Sequence, residues 1–139
     1  MKQFFTKINI DSSPGKLTEF TDDVMKELSN HHINNGLATL YIKHTSASLL
    51  IQENADPDVL YDLENFFNKL APQDLSLYRH KTEGPDDMSA HIRSALTSTH
   101  LSIPIVDNKL ELGTWQGIFL FEHRSKTHLR TIQLHIIGE

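Results

Sequence analysis

Two apolar rhythms alternate along this chain, and their order most constrains its fold. Between Leu37 and Thr45 the period is two: Ala38, Leu40, Ile42 and His44 share one face, and Thr39, Tyr41 and Lys43 share the other. A turn of small residues, Thr45-Ser46-Ala47-Ser48, returns the chain into a second strand on which Leu49, Ile51 and Glu53 alternate. The rhythm then becomes helical. Asp56 and Pro57 open a helix in which Val59, Leu63, Phe66, Phe67 and Leu70 mark a face expected to be core scaffold.

The remaining segments extend the same reading. Lys2 to Ile10 reads as a first strand, followed by a helix capped by Ser13, with Pro14 in its first position and Leu17, Phe20, Val24 and Leu28 on one face. Glu83-Gly84-Pro85 is a turn before a third helix, with Asp86 or Asp87 as N-cap and Met88, Ile92, Ala95 and Leu96 as its core-facing stripe. Four strands close the chain: His100 to Val106, placed at an edge or bulge by Pro104, then Leu110 to Leu112, Ile118 to Glu122 and Thr131 to Ile137. The order β-α-β-β-α-α-β-β-β-β with hairpin-length joins predicts an α+β fold on antiparallel or mixed sheets. A chain of 139 residues is expected to form one domain over 1–139, burying roughly two thirds of its unfolded surface.

Composition narrows the function. A net charge of −5 with no basic run argues against nucleic-acid binding. Apolar runs far shorter than the ~20 residues of a membrane helix, and the absence of a leader-like core, make a cytoplasmic protein without membrane contact the expectation. Without cysteine there is no disulfide, no thiolate catalysis and no cysteine-based zinc site, so any soft-metal site must draw on the nine histidines.

The densest set of ligand-type side chains lies between His80 and His91, where Glu83, Asp86 and Asp87 also fall. A chain reversal at Gly84 would bring His80 and Glu83 over the first helical turn beside His91. Such a cluster points to a metal or to an acid–base pair, against the plainer reading of one buried histidine satisfied by a carbonyl. His44 and Glu53 each end an inward row, an arrangement that builds a cleft at a sheet rim. His31 and His32 fall in a polar loop. Trp115, between Gly113 and Gly117, reads as a packing anchor that also walls a pocket. No GxGxxG, P-loop or HExxH motif is present.

Three strings, HTSASLLIQENADP, HKTEGPDDMSAHIRSAL and LGTWQGIFLFEHR, together with the closing Gly138-Glu139, resemble the YjbQ family of secondary thiamine-phosphate synthases. The resemblance runs from about His44 to the end, and weakly over the first strand and helix. It implies a β-sandwich with about three helices, a homotrimer, a site between subunits and a metal there. The family's motif positions map onto His44, His80 and His91, onto Glu53 and Glu83, and onto Trp115, Gln116, Glu122 and Arg124. Where many members carry an arginine pair near the end, this chain keeps only Arg130.

The resulting expectation is an enzyme with a divalent metal on His44, His80 and His91. Imidazoles favour a zinc-like ion, whereas Mg²⁺ would need the carboxylates. Glu83 or Glu53 would act as base, Trp115 would line the pocket, and Gln116, Arg124 and Arg130 would contact a small phosphorylated substrate. Thiamine phosphate formation joins a pyrimidine diphosphate to a thiazole phosphate with loss of pyrophosphate. The alternatives are a non-catalytic protein that binds a metal or phosphometabolite, and histidines that serve only the core and subunit contacts.

Overall fold

Every second side chain of the last strand points inward: Arg130, Ile132, Leu134 and Ile136 are buried, while Thr131, Gln133, His135 and Ile137 are only half-covered. This strict alternation organises the larger of two sheets in the structure, a computed structural model covering residues 1–139. Its strands are β1 (Lys2–Asp11), β3 (Gly36–Ile42), β5 (His100–Val106), β6 (Lys109–Leu110) and β8 (Leu129–Gly138), in the order β1-β8-β3-β5-β6 with every pair antiparallel. The β5–β6 hairpin turns on Asp107 and Asn108, both at positive φ, the two-residue geometry that matches strand twist. Because β6 covers β5 only at Ile105 and Val106, Pro104 sits where the sheet is nearly an edge, as the sequence predicts.

The smaller sheet comprises β2 (Leu17–Glu19), β4 (Ala47–Glu53) and β7 (Gln116–Glu122), in the order β2-β7-β4. Its middle strand is apolar on both faces because each face meets a different layer. Ile118 and Leu120 join the main core with the inner side chains of the larger sheet and with Phe20, Val24 and Leu28. Phe119 and Phe121 turn the other way, with Leu17, toward Leu60, Leu63 and Phe67 of α2 (Pro57–Leu70). The two sheets thus face each other as a sandwich, with helices closing its flanks.

Three helical expectations need correction. The first helix, α1 (Thr21–Ser29), begins well after Ser13, because Leu17–Glu19 instead pairs with Phe119–Phe121. Backbone groups on the edge of a buried strand need partners, and that demand outweighs local helical periodicity. Beyond β2 the same edge of β7 is finished piecemeal: Phe20 N–H donates to the Ile118 carbonyl, Ile118 N–H donates to Thr21 Oγ1 at 2.8 Å, and Glu122 N–H donates to the Lys16 carbonyl.

Helix α2 is a partly covered surface helix rather than core scaffold. Phe66 and Leu70 are exposed, and its one fully buried residue is Glu64, which accepts from Lys16 Nζ at 2.7 Å and from Leu17 N–H at 3.0 Å. Helix α3 (Asp87–Leu96) is rotated relative to expectation. It buries Asp87, Ser89, Ala90 and Arg93, whereas Leu96 is 59% exposed. The Ala71 carbonyl explains this choice: it ends α2 and accepts from both Ser89 Oγ and Arg93 Nη2, so a polar face is bonded where an apolar one was expected.

Candidate functional site

Gly84, at φ 104, makes the reversal that carries His80 over the start of α3. There His80 Nε2 lies 2.7 Å from Asp87 Oδ2, and His91 Nε2 lies 3.2 Å from the same oxygen. The two rings stand edge to face with centroids 5.7 Å apart. Asp87 is buried while both imidazoles reach solvent, so the group opens outward. Arg124 Nη1 donates to the other carboxylate oxygen, Oδ1, at 2.5 Å and fixes its plane.

Asp86 occupies the N-cap position but caps nothing with its side chain. Its carboxylate is diverted to Ser125 N–H at 2.9 Å and Arg124 Nε at 3.0 Å. Burial pushes the Asp86 pKa upward, but these donors outweigh it and hold the group below the usual aspartate range. Arg124 is held above its ordinary value, since Asp86, Asp87 and Glu83 more than offset its partial burial. Beside it lies a cavity of about 310 Å³ without a hydrophobic lining residue, bordered by Glu83, Asp86, Arg124, Ser125, Lys126 and His128. Glu83 is exposed and contributes its carbonyl, not its carboxylate, to Arg124.

His80, Asp87 and His91 offer three ligand atoms within 4.8 Å of one another. A tetrahedral zinc site with bonds of about 2.1 Å has ligand–ligand edges of about 3.4 Å, so the observed spacings of 2.7 and 3.2 Å need only a small spread to accept an ion. The donor types are those a zinc-like dication takes, and both imidazoles reach solvent.

His44 is not part of this group. Its Nδ1 is 3.3 Å from Arg130 Nη1, an obligate donor, so its proton resides on Nε2 and it offers a hydrogen bond rather than a lone pair. Burial and the arginine keep its pKa below the ordinary value. It borders a second polar cavity with Lys7 and Lys43. Arg130 is itself committed, clamping buried Glu122 through Nε at 2.7 Å and Nη2 at 2.5 Å. Burial pushes Glu122 upward, but Arg130 and the Arg124 N–H overcome it and leave the carboxyl low. Glu122 Oε1 also accepts from the Arg124 backbone, so one polar network runs from His44 to His91.

Glu53, Trp115 and Gln116 lie elsewhere. They gather at the opposite end of β7, about 20 Å from Glu122 by strand rise. Glu53 accepts from Asp56 N–H, Gln116 closes the turn to Gly113, and Trp115 is 63% exposed.

Sequence reasoning passed over His123, which is fully buried with Nε2 2.8 Å from Ser48 Oγ. The available signal was the run Ile118 to Phe121: a strand apolar on both faces passes its burial to the polar residues that end it. Burial, aided by Arg93, lowers the His123 pKa to about 3. His123 Nδ1 and Arg93 Nε are the buried side-chain nitrogens without a partner.

A family model described as UPF0047 protein YjbQ-like matches residues 6–139. A UPF0047 protein of Synechocystis is 52% identical over 134 residues, covering 96% of this chain and 91% of the relative. The UPF0047 protein YjbQ of Escherichia coli O157:H7 is 42% identical over 120 residues, 86% of each chain. Among solved structures, a YjbQ/UPF0047 protein of Clostridium acetobutylicum superposes with TM-score 0.86 at 32% identity over 95% of this chain and 99% of that one. A YbjQ-like protein of unknown function from Sulfolobus solfataricus reaches TM-score 0.90 at 24% identity, covering 99% of both chains, a likeness of fold. With most of its length matched at the level of the family model and of close relatives, this chain belongs to the YjbQ-like UPF0047 family.

Proposed function

We propose that the chain is a metal-dependent enzyme acting on a small phosphorylated metabolite, with a zinc-like ion on His80, Asp87 and His91. The observation that carries this reading is the meeting of two solvent-reaching imidazoles on one oxygen of a buried carboxylate, whose other oxygen Arg124 holds. Bound there, a dication would act as a Lewis acid toward a phosphoryl or diphosphate oxygen. With the ion bound, both Nε2 atoms and Asp87 Oδ2 would be its ligands in place of their contacts with one another, and Arg124, through Oδ1, would keep Asp87 from turning. Lys126 and His128 line the adjoining cavity, and Lys126 would offset the charge of the substrate's phosphate. His44, holding its proton on Nε2, would donate to substrate oxygen instead of binding the ion. Glu83 remains the candidate base at the cavity rim.

The reaction to test first is formation of thiamine phosphate from a pyrimidine diphosphate and a thiazole phosphate. A binding-only role is favoured by one observation, that nothing in the chain orients the Glu83 carboxylate. We further propose a cytoplasmic homotrimer, as the family resemblance implies, assembled through the outer face of the larger sheet. That face leaves Phe5 68% exposed and also presents Leu37 and Tyr41.

Calorimetric titration of the chelator-treated chain with ZnCl₂ should show one site per chain, weakened at least about tenfold by Asp87→Asn and by His91→Ala. Equal zinc affinity in all three proteins would sink the metal assignment. Product formation by the zinc-loaded protein that Glu83→Gln abolishes would establish catalysis with Glu83 as base; zinc binding without turnover of any phosphorylated substrate would leave the binding-only role.

A further inference from the structure

Of the cations lining the cavity between α2 and α3, Arg93 is the one with no carboxylate partner. It is 2% exposed, and only Nη2 finds a bond, to the Ala71 carbonyl at 3.0 Å. An arginine does not shed its charge on burial, and a buried charge left uncompensated is costly. Arg93 borders this polar cavity of about 270 Å³, which has no hydrophobic lining residue. Lys16 and Arg124 line the same space, so three cations stand against the single carboxylate of Glu64 in a chain of net charge −5. Glu64 is already engaged by Lys16 Nζ and Leu17 N–H, and Arg124 by Asp86 and Asp87. What remains is the Arg93 charge, with the amides of Asn65, Asn68 and Gln73 around the opening.

We infer that this α2–α3 cavity is an oxyanion subsite that takes a phosphoryl group on Arg93. Nη1, which makes no hydrogen bond and is not sealed as Nε is, would donate to a phosphate oxygen, and the surrounding amides would donate to the others. The subsite lies across Arg124 from His80, Asp87 and His91 and does not rest on the metal reading. A phosphate held there would neutralise the arginine and tie α2 to α3.

Arginine side-chain NMR on the full, metal-free chain tests this, with inorganic phosphate as the probe and acetate at matched ionic strength as its counterpart. Phosphate should move the Arg93 Nε–H resonance saturably, and acetate should not. Arg93→Met should weaken phosphate binding at least about tenfold. Asn68→Asp, at an exposed position that leaves Arg93 in place, should weaken it about threefold by repulsion and keeps the test informative if the first variant does not fold. An unmoved or linearly drifting Arg93 signal, a saturable shift confined to Arg124, or unchanged affinity in a folded Arg93→Met protein would overturn the subsite. An equal response to acetate would overturn its phosphoryl assignment.

Discussion

At the scale of single residues, His123 makes the clearest thermodynamic statement. Thr97 Oγ1 lies 2.7 Å from Ser48 Oγ and 2.8 Å from the Arg93 carbonyl. The carbonyl has no hydrogen to give, so Thr97 donates to it, Ser48 donates to Thr97, and His123 donates to Ser48 from Nε2. Nδ1 is buried with no partner to accept a second proton, so the ring is neutral when folded. Its folded pKa of about 3 is far below the unfolded value near 6.5, so the unfolded chain binds the extra proton throughout that interval. Its contribution to stability is full above pH 6.5 and declines as pH falls toward 3, by at most about 1.4 kcal/mol per pH unit. Urea midpoints at pH 7 and pH 5 should show this decline in the wild type and a flatter profile in His123→Phe, although that variant is less stable at pH 7. Asp86 and Glu122 act lower on the scale. Their depressed pKa values give stability that is present above the ordinary carboxylate range and lost as pH falls through their folded values.

At the scale of elements, α3 shows how a polar face can be the buried one. Ala90 is sealed, so Ala90→Leu should overpack the helix seat and lower stability by about 1–3 kcal/mol. Leu96→Gln, on the stripe that hydrophobicity alone would bury, should change it by less than about 0.5 kcal/mol in the same urea titration. The contrast marks what the sequence made legible. Strands with strict alternation, such as β3 and β8, were readable because one face meets the core and the other does not. The α2 start was readable because Asp56 does accept from Asp58 N–H. The α3 orientation was not, because it depends on a carbonyl sixteen residues before its start, and β2 was not, because its pairing is with a strand a hundred positions away. In the candidate site, the closeness of His80 and His91 followed from the Gly84 turn, whereas Asp87 as their common partner required the helix rotation.

At the scale of the whole molecule, the outer face of the larger sheet lacks a covering layer. Phe5, His135 and Thr39 form one cross-strand row and Lys7, Gln133 and Tyr41 the next, with Phe5 stacked on His135. If copies meet there, light scattering should give three times the 15.9 kDa chain mass, and Phe5→Lys with Tyr41→Lys should reduce it to one. A wild-type mass of one chain would remove the proposed assembly. The other sheet carries an opposite hazard. Ile118 to Phe121 is an uncharged, β-favouring run whose outer edge is closed by three residues of β2, the Phe20 N–H, a loop carbonyl and the Thr21 hydroxyl. An edge of that kind templates foreign strands once uncovered. The Thr21 hydroxyl satisfies the Ile118 N–H on that edge, so Thr21→Val should aggregate faster than its loss of global stability accounts for, read by light scattering beside urea midpoints.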